Sequence, residues 1–85
     1  MKSIAISLTA QRKRLLEHLK EYRSVTTYEA REQLGIAHPA GRIRELREQG
    51  YLIHKSVETL TDGYGVKHPR SARYFLLSEE AANDE

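Results

Sequence analysis

Arg42, Arg44 and Arg47 crowd one short stretch, and Lys55, Lys67, His68, Arg70 and Arg73 follow it around the glycine pair Gly63 and Gly65. Cationic side chains in this density suit an anionic polymer, because each phosphate neutralised by Lys or Arg releases condensed counterions. A guanidinium has a second capacity: its planar fork can grip guanine O6 and N7 together. Covalent chemistry has no comparable constellation. The four histidines, His18, His38, His54 and His68, are scattered without the spacing of a metal site, and no nucleophile with an orienting partner accompanies them. Gly63 and Gly65 are not followed by the Lys-Ser/Thr helix start of a phosphate loop. The expectation is a non-enzymatic binding protein with no cofactor and no metal.

Charge distribution supports that expectation. All 14 Lys and Arg fall between Lys2 and Arg73, against eight acids in residues 1–78, a net of +6. Residues 79–85 carry four acids and no base, and are expected to form an acidic disordered tail behind one domain spanning residues 1–78. Hydrophobic residues at 39%, with one Phe and no Trp, allow a thin core and leave little for a deep catalytic cleft. Cysteine is absent, which excludes disulfides and thiolate zinc sites. No apolar run approaches the roughly 18 residues of a membrane span, and the first ten residues lack the pattern of a signal peptide. A cytoplasmic protein, nucleoid-associated when bound to DNA, is expected.

The elements that must position these cations can be read from spacing. Leu8, Leu15, Leu16, Leu19 and Tyr22 gather on one side of a 3.6-residue period, predicting a scaffold helix over Leu8–Tyr22 with Thr9 as its cap. Thr26 followed three residues later by Glu29 has the spacing of a capping box, opening a short helix to Leu34. Gly35 then suits a left-handed exit, and Ile36 is placed to plug the angle before the next helix. Pro39 fits a first helical turn, where its missing N–H breaks no bond, so a third helix restarts at about Ala37 or His38.

On this third helix Pro39, Ala40, Ile43 and Leu46 share the predicted core side. His38, Gly41, Glu45 and Glu48 lie opposite, flanked by Arg42 and Arg44. Arg44 is the leading candidate for a base edge or phosphate, His38 the next, and Arg47 is expected to lay its stem over the core with its head on an acid or phosphate. Gly41 removes a side chain where a backbone could approach closely, at a cost to the helix of about 1 kcal/mol relative to Ala. After Gly50 an extended segment is predicted from Tyr51 to about Leu60, then a turn at Asp62-Gly63, and a returning strand over residues 72–77. Lys67, His68, Arg70 and Arg73 are expected around Pro69 in the connection between strands. Thr27, Pro39 and Lys55 complete the set of predicted DNA-contacting residues.

The order Thr-x-x-Glu-Ala, Leu-Gly-Ile and Arg-Ile-x-x-Leu-Arg-x-x-Gly-Tyr-x-Ile, carried by Thr26 to Ile53, resembles the small winged helix-turn-helix domains of phage, prophage and mobile-element proteins. The resemblance implies an α+β, mainly α fold: a three-helix core with a C-terminal β-hairpin wing. It also implies the third helix in the major groove of double-stranded DNA and a basic wing on the backbone or minor groove. One departure is the cap position before the third helix, Ala37 or His38 where Ser or Thr is usual.

Taken together, the expectation is a small sequence-specific regulator of a phage or mobile element. An excisionase-like architectural protein that bends DNA is the alternative within DNA binding. A winged-helix module that docks a phage or host protein is the alternative outside it, favoured by four acids between Glu29 and Glu48 that dilute the positive field. Because one such domain reads few base pairs, a homodimer on a palindromic site is expected, with Leu8, Tyr22 or the hairpin's outer face as its contact.

Overall fold

Leu15 and Leu19, one turn apart on α1 (Leu8–Tyr22), are fully buried, and the rest of the protein is arranged around them. The computed structural model describes residues 7–78, so the acidic tail lies outside the described residues. After α1 come β1 (Ser24–Thr26), α2 (Thr27–Leu34), α3 (Pro39–Glu48), β2 (Leu52–Thr61) and β3 (Lys67–Ser78). The strands form one antiparallel sheet with β3 in the middle, between β1 and β2. Val25, Ala30, Ile36, Ile43, Leu46, Ile53, Tyr74 and Leu76 close the core, so every element contributes to it.

Local chemistry accounts for each boundary. Ser7, not Thr9, caps α1: its side chain accepts the Ala10 amide at 3.1 Å, while Thr9 accepts from Arg12. Leu8 and Tyr22 are exposed rather than coreward, because they sit at the two ends of α1 beyond the cover of the other helices. The capping box of α2 is complete, with Glu29 N–H donating to Thr26 Oγ1 and Thr26 N–H to Glu29 Oε1, both at 3.0 Å. Gly35 leaves α2 at φ 71°, and the next amide, on Ile36, returns to Ala30 O while its side chain is wholly buried between the helices. α3 begins at Pro39 behind His38, whose side chain makes no capping bond. Ala40, predicted coreward, is exposed, because the buried stripe of α3 is only Pro39, Ile43 and Leu46 wide.

The sheet departs from expectation in two ways. β1 is an extra strand, three residues long, formed where Val25 enters the core beside Tyr74. The basic residues after the turn are not in a loop: β3 starts at Lys67, so Lys67, His68, Arg70 and Arg73 are strand residues and the turn is confined to residues 62–66. Asp62 organises that turn, since its carboxylate accepts the amides of Tyr64 and Val66. Between the pairs Glu58↔Ser71 and Leu60↔His68, Thr59 faces two residues, Pro69 and Arg70. In this bulge Arg70 takes φ 59°, a left-handed conformation that costs a non-glycine residue roughly 1–2 kcal/mol.

Candidate nucleic-acid interface

Most of the arginines are structural. Arg42 grips Glu45 with two nearly parallel bonds, Nε to Oε1 at 2.8 Å and Nη2 to Oε2 at 2.9 Å, and its third nitrogen donates to Gln11 on α1. Arg12 reaches the same carboxylate from α1 at 2.8 Å. Glu45 is therefore turned to α1 and not outward, and the hydrogen bonds from Arg42 and then Arg12 lower its pKa from 4.5 to about 2. Arg14 donates to the last carbonyl of α2, on Leu34, and Arg31 to Ala37 O in the turn that follows. Arg23 donates to Leu76 O, and Arg73 donates to Glu58 at 3.2 Å. Arg47 clasps Ile53 O with Nε at 3.1 Å and Nη2 at 2.9 Å, fixing the start of β2 against α3.

Two of the nine arginines stand apart. Arg44 projects from the exposed side of α3 with no hydrogen bond or ion pair among the described residues, and Arg70 does the same from the bulge of β3. Around Arg44 the exposed surface of α3 is low: Ala37 and Ala40 are exposed, and a Cβ added at Gly41 would meet nothing within 4 Å. Gly41 thus has no steric reason among the described residues. His38 is exposed at the helix start, and Glu48 is the acid left on this surface.

The other predicted contacts divide. Lys55 and Lys67 are exposed on the hairpin, and Lys55 lies opposite Tyr74, on the sheet face that carries Ile53 and Leu76 into the core. Pro39 is buried, and Thr27 Oγ1 donates to Ala72 O at 3.3 Å, so both serve the fold. His68 is held by Asp62 at 2.8 Å and stacks on Tyr28 with ring centroids 4.7 Å apart, tying the hairpin to α2. That side of the hairpin is acidic. Glu29, Glu32, Glu58 and Asp62 line an open cleft of about 480 Å³ between α2 and the hairpin, a surface that repels phosphate. The four acids between Glu29 and Glu48 are accordingly dispersed: Glu29 and Glu32 to this cleft, Glu45 to its two arginines, Glu48 to the exposed side of α3.

Two helices joined by the tight Gly35–Ile36 turn, with an antiparallel hairpin directly behind the second, decide the family, and residues 10–79 match the winged helix-turn-helix domain family. The chain belongs to that family. No curated protein and no solved structure matches the chain. Within a winged helix-turn-helix domain α3 occupies the recognition-helix position and β2–β3 the wing. Sequence reasoning overlooked the structural use of Arg42 and Arg73, and it placed the head of Arg47 on an acid or phosphate where the structure gives it the Ile53 carbonyl. The Arg42–Glu45 spacing, one turn apart on a helix, was the available signal for the first of them. No helix among the described residues is long and apolar enough to cross a membrane.

Proposed function

We propose that this winged helix-turn-helix domain binds double-stranded DNA sequence-specifically, with α3 in the major groove and the hairpin along the phosphates. The observation that carries the reading is the arginine census: among the described residues seven are spent on intramolecular acceptors, and the two left over project from the recognition helix and the wing. Arg44 reads a base edge, guanine being its best geometric match, and the low surface at Ala37, Ala40 and Gly41 lets the helix sit deep. Arg70, Lys55 and Lys67 hold the backbone and supply salt-dependent, sequence-independent affinity. Action is by occupancy rather than catalysis. The sequence pattern shared with phage and mobile-element domains supports a transcriptional regulator of such an element.

Selection of duplexes from a random pool, at two salt concentrations, tests this. An enriched motif that Arg44→Ala abolishes is the expected outcome. Salt-sensitive binding with no enrichment would point to an architectural protein, and absence of binding at low salt would sink the DNA reading altogether.

A further inference from the structure

The outer edge of β2 has backbone groups with no partner strand among the described residues, and three hydrogen bonds show which residues own them. Asp62 N–H donates to Val66 O across the turn, so Asp62 points inward to β3. On β3, Leu76 N–H donates to Arg23 O and Ala72 O accepts from Thr27, so residues 72, 74 and 76 face β1 and residues 71, 73 and 75 face β2. Their partners Glu58, Ser56 and His54 therefore point inward, and Ile53, Lys55, Val57, Thr59 and Thr61 point outward. Arg47 already occupies Ile53 O. The bare ladder begins at Lys55. It contains no Pro or Gly, and Val57 at its centre is 60% exposed. A long uncovered edge of this kind is a template for another strand.

We propose that this edge pairs antiparallel with β2 of a second copy of the chain, on a twofold axis at Val57. A twofold normal to the sheet keeps equivalent faces on the same side, so outward residues must meet outward residues. Few registers remain, and charge, together with the bulge that twists the strand at Thr59, separates them. Centring on Lys55 sets two ammonium groups opposite each other, and centring on Glu58 does the same for two carboxylates at the closest cross-strand spacing. Centring on Ser56 calls on Ile53, whose carbonyl Arg47 holds. Centring on Val57 pairs Lys55 with Thr59 of the second copy in both directions, sets the two Val57 side chains together and opposes no like charges. Lys55 serves as an edge guard against strands presenting a cation at that position, while Thr59 accommodates it. The six-stranded sheet that results carries both α3 helices on one side.

The chain lacks cysteine, which makes the geometry directly testable. Residues exchanging both backbone bonds have Cα atoms about 5.5 Å apart, within disulfide range. Val57→Cys should thus cross-link to itself on mild oxidation, whereas Lys55→Cys and Thr59→Cys should cross-link only when mixed with each other. Sedimentation should show a dimer for the unmodified protein. Val57→Pro, which removes an outward N–H and no bond to β3, should give a monomer that keeps the wild-type circular dichroism. Val57→Lys should do the same without a proline. A wild-type monomer at every concentration, a dimer that survives Val57→Lys, or self-cross-linking at Glu58→Cys in place of Val57→Cys would overturn the proposal. DNA binding is read separately, so a monomer that still selects a motif sinks the pairing and leaves the DNA reading intact.

Discussion

Arg44 and Arg70 are exposed cations with opposite expected signatures. Arg44→Ala should lower affinity for the selected site by roughly 10- to 100-fold, the value of one bidentate base contact, with little effect on random DNA and none on thermal stability. Competition between specific and random duplexes measures both, and equal loss on the two would show that the reading face lies elsewhere. Arg70 combines a left-handed backbone with a side chain that has no hydrogen bond or ion pair among the described residues. Arg70→Gly should therefore stabilise the fold by up to about 1 kcal/mol in denaturant titration. The same variant should bind all sequences more weakly, with the salt slope reduced by about one phosphate. Loss of stability on that substitution would mean that the arginine side chain packs against the sheet.

At the scale of elements, the joints between helices were legible and the sheet was less so. Thr26 and Glu29 announce a helix start by chemistry that involves only neighbours, as Gly35 and Ile36 announce its end, and the structure shows all four in those roles. Thr26→Ala removes the cap and should cost about 1–2 kcal/mol, measured by thermal or urea unfolding. A change below a few tenths would show that Glu29 alone can hold the helix start. β1 was not legible, because a strand of three residues exists only through its pairing with β3, which residues 24–26 do not encode locally. The basic stretch at residues 67–70 was misread for a related reason: proline and charge suggest a loop, but a bulge absorbs both within a paired strand. Candidate site residues fared similarly. Arg44 is on the exposed side of α3, where its spacing predicts it, whereas the Gln11 contact of Arg42 and the partners of Arg47 and Arg73 depend on tertiary neighbours.

For the whole molecule, acid should be the effective denaturant. Glu45 is held at about pKa 2 by Arg42 and Arg12, and Glu58 and Asp62 are also lowered, by Ser56 with Arg73 and by His68 with the turn amides respectively. A carboxylate whose folded pKa lies below its unfolded value adds stability above the unfolded value and loses it as pH falls. Stability should thus decline as pH falls from about 4.5 toward 2, the interval between the ordinary and the folded pKa of Glu45. Glu45→Gln should flatten part of that decline while lowering stability at neutral pH, as chemical unfolding at several pH values would show. An unchanged profile would mean that Arg12 and Arg42 contribute nothing net from their partly exposed positions.

The division of the arginines has a bearing on how this domain could change its target. Seven are fastened to the scaffold, so altering them risks the fold, while Arg44 and Arg70 can be exchanged without undoing a single bond among the described residues. Address and architecture are written in different residues of the same type. A collection of variants randomised at 44, with its small neighbours 37, 40 and 41, should yield folded proteins of new preference at high frequency, and a descendant lineage could drift from one operator to another along that short path.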